Sequence, residues 1–69
     1  SVYGKTFYEY INEFRVKQFL AKVKDGEHKK QTILGIAMDA GFNSKSTFNK
    51  SFKMIMNDTP SRYIEKNFL

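Results

Sequence analysis

The chain has 69 residues, which is enough for one small domain, and twelve Lys and Arg against seven Asp and Glu give it a net charge of +5. It contains no cysteine and a single histidine, which excludes disulfide bridges and metal sites built from thiolates or several imidazoles. No apolar run approaches the roughly 20 residues that a membrane-spanning helix needs. The positive charge favours a polyanionic partner, either nucleic acid or an acidic membrane surface.

The apolar pattern predicts an all-α fold without strands, with four helices at about residues 6–24, 32–40, 44–56 and 59–67. Thr6 and Glu9 have the spacing of a capping box at the start of the first helix, and Gly26 follows its end. Residues 27–31 form a polar loop, in which we expect His28 to be solvated. Thr32 then caps the second helix, and Gly41 ends it.

The third helix begins after Asn43 or Ser44 and has an apolar inner face, on which we place Phe48, Ser51, Phe52 and Ile55. Asn57 and Asp58 break this helix. Thr59 followed by Pro60 is typical of an N-cap and a first helical residue, so the last helix begins there.

The first helix changes its apolar face at its midpoint. At about 100° per residue, one side collects Phe7, Tyr10, Ile11 and Phe14, and roughly the opposite side collects Val16, Phe19, Leu20 and Val23. A helix that bridges two separate cores has this pattern. The alternative is a central helix buried all round, which Lys17, Lys22 and Lys24 disfavour.

A short repeat agrees with the bridging interpretation, although six positions can also match by chance. Residues 6–11 and 59–64 share the spacing of cap, aromatic ring and aliphatic side chain. If the repeat is genuine, residues 1–3 correspond to residues 54–56. We therefore expect residues 1–5 to be the end of an earlier helix-turn-helix unit.

The second and third helices have the features of a helix-turn-helix, in which a Gly-containing turn joins two helices and the second has a polar outer face. Ala37 permits close approach, and Gly41 makes the turn. The residues that we expect to contact base edges are Lys45, Ser46, Asn49 and Lys50. Those that we expect to contact phosphates are Ser44, Thr47, Lys53, Thr59 and Arg62. For any one lysine, a solvated surface charge is an equally good explanation.

Residues 32–53, with the spacing IA…GF.S.S.F…FK and then Thr59-Pro60-Ser61-Arg62-Tyr63, resemble the second helix-turn-helix of AraC/XylS-type transcription regulators. Residues 7–16 are similar to that family's linker helix. The resemblance implies a homeodomain-like fold with two such units on one linker helix, of which this chain holds the linker and the second. It also implies that Arg15 pairs with an acidic residue such as Asp39. Asn57 stands where the family commonly has Gly, and Phe19 replaces a usually small residue.

The expected partner is therefore double-stranded DNA, together with the remainder of a parent regulator: its first helix-turn-helix and a sensor domain. The sequence predicts no enzyme activity, no cofactor and no metal, because it lacks a phosphate-binding Gly loop, a thiol and a second histidine. We expect a cytoplasmic location, with a parent that could be membrane-tethered. A rival function is a helical module that docks a protein partner through Phe7, Tyr10, Ile11 and Phe14. The same four side chains predict self-association of the chain, whereas binding to a membrane surface ranks third.

Overall fold

Four α-helices, α1 to α4, make up most of the computed structural model, which describes residues 6–68. They are α1 (Phe7–Lys24), α2 (Ile33–Asp39), α3 (Lys45–Met56) and α4 (Pro60–Phe68), and a short 3-10 turn (Glu27–Lys29) follows α1. Residues 6–68 contain no strand, and the predicted all-α fold is confirmed. Within the same residues, no helix combines the length and the apolar character that crossing a bilayer requires.

Hydroxyl side chains begin the first three helices at the predicted positions. The Thr6 hydroxyl accepts from the Glu9 N–H at 3.0 Å, and the Glu9 carboxylate accepts from the Thr6 N–H at 3.1 Å, which completes the capping box. The Thr32 and Ser44 hydroxyls likewise accept from the N–H three residues further on, at 3.0 and 3.2 Å. These bonds satisfy backbone donors that a helix start otherwise leaves unpaired.

Two residues with positive φ set the turns on either side of α3. Gly41, at φ +110°, lies between α2 and α3, and a Cβ there would stand 3.4 Å from the Arg15 Nε. Asn57 ends α3 in the left-handed region at φ 60°, which Asn tolerates better than most residues. The substitution of Asn for Gly at this position therefore leaves the turn intact.

The core is a cluster of aromatic and aliphatic side chains between α1 and the other helices. Phe19 is fully buried, with its ring centroid 4.9 Å from that of Phe48 and 5.5 Å from that of Phe52. The other buried members of this cluster are Val16, Val23, Ile36, Ala37, Phe42 and Ile64. The large residue at Phe19 thus fills the centre of the core.

The two apolar faces of α1 differ in burial. Val16, Phe19 and Val23 are buried, whereas Phe7 is 81% exposed and Phe14 57% exposed. The alternative of a helix buried all round is therefore wrong for residues 6–68. Residues 1–5, which we expected to end an earlier unit, lie outside the described residues.

His28 does not have the solvated side chain that the loop composition predicts. The turn at Gly26, with φ +89°, folds residues 27–29 back against the end of α1. There the His28 Nδ1 lies 3.1 Å from the Val23 carbonyl oxygen; because a carbonyl only accepts, Nδ1 carries the hydrogen. The Nε2 is buried and has no hydrogen-bond partner among the described residues.

Arg15 has a structural role, as expected, but with different partners. Its Nη1 donates to the Asn12 Oδ1 at 3.1 Å, and its guanidinium carbon lies 5.9 Å from the centre of the Phe42 ring. The Asp39 carboxylate accepts instead from the Gln31 amide at 3.2 Å. The expected Arg15–Asp39 pair is therefore wrong, since packing over Phe42 directs the guanidinium elsewhere.

Candidate nucleic-acid interface

The polar face of α3 is exposed along its length, and Phe48 and Phe52 on its apolar face are buried. The four predicted base-contacting residues all lie on the exposed face, which presents Lys45, Ser46, Asn49 and Lys50. Phe48 and Phe52 point into the core, where Phe48 packs on Phe42 with ring centroids 5.2 Å apart. The helical period thus separates residues that hold α3 from residues that can meet a ligand.

The turn before α3 is fixed by its own contacts. The Phe42 N–H donates to the Ala37 carbonyl at 3.1 Å, and the Gly41 N–H donates to that of Met38 at 3.0 Å. Ala37 is fully buried, as expected for a small residue at a close helix contact. The orientation of α3 relative to α2 is therefore set by the backbone and the core together.

The predicted phosphate-contacting residues lie at two helix starts and further along α3. At the start of α3, the Ser44 hydroxyl donates to the Thr47 hydroxyl at 3.0 Å, so both groups already take part in the cap. Lys53 is exposed, two turns beyond Ser46. At the start of α4, the Thr59 hydroxyl accepts from the Arg62 N–H at 3.3 Å. The α4 start and the polar face of α3 are brought together by the fold.

A shallow groove connects the polar face of α3 to two other helix starts. Its lining residues are Thr32, Ile33, Leu34, Lys45, Phe48, Asn49, Pro60 and Ser61. Sequence reasoning did not place Thr32, Leu34 or Ser61 beside Asn49, because they come from α2 and α4. The one available signal was that two of them are hydroxyl residues at predicted helix starts.

On the other side of α3, a second groove separates this helix from the first half of α1. Its lining includes Glu9 and Glu13 from α1, and Lys50, Met54 and Ile55 from α3. Ile55 was expected on the inner face of α3, but it is 37% exposed. That expectation is wrong because the first half of α1 does not pack closely enough on α3 to cover this side chain.

Asp58 forms a cluster with two basic residues on α4. Its Oδ2 lies 3.1 Å from the Lys66 Nζ, and its Oδ1 lies 3.6 Å from the Arg62 Nε. Its Oδ1 also accepts from the Thr59 N–H at 2.9 Å. The hydrogen bond from Lys66 outweighs the opposing effect of partial burial and, with the Thr59 bond and the two positive charges, lowers the pKa of Asp58 below its ordinary 3.8. Sequence reasoning did not identify this ion pair for Arg62.

A short helix, a glycine turn and a second helix with a polar exposed face together define a helix-turn-helix DNA-binding domain. The model of a family described as "Helix-turn-helix domain" matches residues 1–66. The chain belongs to this family, in its AraC-type group. The resemblance drawn from the residue spacing is thereby confirmed.

Two curated relatives are similar to most of the chain. A TCP pilus virulence regulatory protein of Vibrio cholerae is 41% identical over 61 residues, which are 88% of this chain and 21% of that protein. A probable transcription factor, PqrA, of Proteus vulgaris is 37% identical over 62 residues, which are 90% of this chain and 48% of that protein. The chain thus spans between a fifth and a half of these relatives. No solved structure gave a significant match.

These findings favour one of the two functions considered from the sequence. The family and both relatives belong to transcription regulators, which supports DNA as the partner of this domain. They give no support to the rival function, a module that docks a protein through the first half of α1.

Proposed function

We propose that α3 enters the major groove of duplex DNA and distinguishes base pairs through Lys45, Ser46, Asn49 and Lys50. The observation that carries this proposal is that all four side chains lie on one exposed face of a helix whose opposite face is anchored by Phe48 and Phe52. Asn can pair with the edge of adenine, Lys with that of guanine, and Ser with either. The domain acts by binding and not by catalysis.

Phosphates on either side of that groove segment are contacted from two places. Ser44 and Thr47 present the start of α3, while Thr59 and Arg62 present the start of α4. Helix starts attract phosphate because their N–H groups carry partial positive charge. Lys53 adds a further charge on α3. These contacts position the domain without selecting sequence.

Selection of bound sites from random duplex DNA tests this assignment. Asn49→Ala and Lys50→Ala should each relax the selected sequence at one or two positions, with a loss of about 1–3 kcal/mol on the preferred site. Lys53→Gln should weaken all sites equally and reduce the salt dependence by about one unit of slope. An unchanged preference in both alanine variants would overturn the role given to α3.

We also propose that the apolar side chains in the first half of α1, Phe7, Tyr10, Ile11 and Phe14, are covered by a preceding helix-turn-helix in a longer regulator. Residues 6–11 and 59–64, which share the spacing of cap, ring and aliphatic side chain, support this idea by their different surroundings. Ile64 is buried and the Tyr63 ring lies 5.6 Å from that of Phe52, whereas the matching Tyr10 is exposed and Ile11 only half-buried. The same pattern of side chains thus packs on a helix-turn-helix at one end of the chain and lacks such cover in residues 6–68. The parent would add a sensor domain and act in the cytoplasm, where bacterial DNA lies, either untethered or held at the membrane.

A longer chain with the preceding segment tests this cover. In that chain, hydrogen exchange of the α1 amides should slow markedly over residues 7–14 and stay unchanged over residues 16–23. Equal exchange in both chains would contradict the proposal.

Without that cover, we propose that the 69-residue chain self-associates by pairing the first halves of two α1 helices through Phe7, Tyr10, Ile11 and Phe14. Light scattering over a concentration series should show a mass that rises above that of the 8.1 kDa monomer. Phe14→Ser should restore the monomer, whereas Met54→Ser, at another exposed apolar side chain, should not. A monomeric mass throughout the concentration series would contradict self-association.

A further inference from the structure

Asp58, Arg62 and Lys66 stand on successive turns of one face, from the residue before the α4 cap to the end of the helix. The Asp58 side chain is only 18% exposed, while those of Arg62 and Lys66 are 69% and 62% exposed. One carboxylate thus sits behind two cations that project into solvent. Its two oxygens are divided between them, and one oxygen also accepts from the Thr59 N–H.

The Asp58 carboxylate binds the same basic groups that a DNA phosphate would bind. Carboxylate and phosphate are both anions whose oxygen atoms accept hydrogen bonds from Arg and Lys side chains and from N–H groups at a helix start. When Arg62 contacts a phosphate, it must either remain paired with Asp58 as well or break that ion pair. The cluster carries +1 in total, where Arg62 and Lys66 alone would carry +2.

We propose that Asp58 limits the sequence-independent affinity of the domain for DNA by competing with phosphate for Arg62 and Lys66; this rests on the proposed function. Within residues 6–68, the hydrogen bonds and ion pairs of Asp58 go to Thr59, Arg62 and Lys66, and none goes to the four proposed base-contacting side chains. Its effect is therefore the same on every duplex sequence. It sets how tightly the domain holds any DNA, while α3 sets which DNA it prefers.

The size of the effect follows from charge and distance. If a phosphate bound to these cations is taken to lie about 7 Å from the carboxylate, in surroundings close to those of water, the repulsion opposes binding by about twofold to threefold. Release of Arg62 and Lys66 from their ion pairs adds little, because exposed pairs contribute little stability. We expect Asp58→Asn to tighten binding about threefold at low salt and to steepen the salt dependence by up to about one unit of slope. The Asn oxygen can still accept from the Thr59 N–H, so the start of α4 is retained.

Fluorescence anisotropy with the full 69-residue chain and a random-sequence duplex tests the proposal. Glu65→Gln is the matched control, because it makes the same change in net charge within α4, two turns from Asp58, and Glu65 is exposed. Asp58→Asn should bind about threefold more tightly than the wild type and more tightly than Glu65→Gln. In a background of Arg62→Gln with Lys66→Gln, Asp58→Asn should have no more effect than Glu65→Gln.

The outcomes distinguish a failure of the proposed DNA binding from a failure of the proposed competition by Asp58. If the wild-type chain binds no duplex at low salt, the proposed function fails, and the role of Asp58 fails with it. If the wild type binds and Asp58→Asn binds no more tightly than Glu65→Gln, only the competition is overturned. Weaker binding by Asp58→Asn at unchanged unfolding free energy also overturns it, because Asp58 would then hold Arg62 in place for phosphate.

Discussion

Phe14 and Phe19 offer a direct test of the face switch in α1, because the same residue type stands on opposite sides of one helix. Phe19 is fully buried and packs on Phe48 and Phe52, whereas Phe14 is 57% exposed. Phe19→Ala should therefore destabilise the domain strongly, and Phe14→Ala should hardly change its free energy of unfolding.

The magnitudes follow from the contacts. Removal of a buried Phe side chain costs about 3–5 kcal/mol, and each aromatic pair adds about 0.5–1.5 kcal/mol to what burial alone provides. A domain below about 70 residues has a total stability of only about 3–5 kcal/mol. Phe19→Ala should thus leave the chain largely unfolded, and Phe19→Leu should cost about 1–2 kcal/mol. Phe14→Ala should stay within about 0.5 kcal/mol of the wild type.

Urea unfolding followed by circular dichroism measures these differences. The chain is kept at a concentration where light scattering shows a monomer, since self-association through Phe14 would otherwise contribute to its apparent stability. Equal losses for Phe14→Ala and Phe19→Leu would refute the assignment of the two faces, and so would a stable Phe19→Ala variant.

Three further predictions concern the helix ends. Because φ is 60° at residue 57, Asn57→Gly should raise the free energy of unfolding by a few tenths of a kcal/mol, and Asn57→Ala should lower it by about 1 kcal/mol. Urea unfolding measures both variants, and an Ala variant as stable as the Gly variant would contradict this prediction. Ser44→Ala should cost about 0.5–2 kcal/mol through loss of the α3 cap, with exposed Ser46→Ala as the control. Because the pKa of Asp58 is lowered by folding, its contribution to stability is fully present above its ordinary pKa of 3.8 and is lost as the pH falls below that value. Acid titration of Asp58→Asn should lack this part of the loss, and an identical acid profile would contradict the ion-pair cluster.

Much of the fold could be predicted because it depends on local chemistry. Thr6, Thr32 and Ser44 are hydroxyl residues before apolar-periodic segments, and each caps a helix within one residue of the predicted start. The turns at Gly41 and Asn57 follow from the few residue types that accept positive φ. The face switch in α1 needed only the helical period.

Side-chain partners between elements could not be predicted in this way. His28 meets the Val23 carbonyl only because the turn at Gly26 folds the loop back. Ile55 continues the apolar period of α3, yet the first half of α1 leaves it partly exposed. Both outcomes depend on the angles between helices, about which the local sequence holds no information.

The candidate interface likewise has one part that the local sequence predicts and another that depends on how the helices pack. The exposure of the four proposed base-contacting side chains could be predicted because Phe48 and Phe52 fix which side of α3 faces outward. The neighbouring Leu34 and Ser61 come from other helices, and the Asp58 cluster requires the side chains of Arg62 and Lys66 to converge on one carboxylate. Such convergence is a property of the folded chain.

The central claim, that the polar face of α3 binds DNA, is tested most directly by mapping amide chemical shifts of the labelled chain during titration with a duplex. The largest changes should fall on Lys45, Ser46, Asn49 and Lys50, with a second group at the start of α4, and they should fade as salt is raised. Changes concentrated on residues 7–14 and insensitive to salt would contradict the account and identify the first half of α1 as the binding surface.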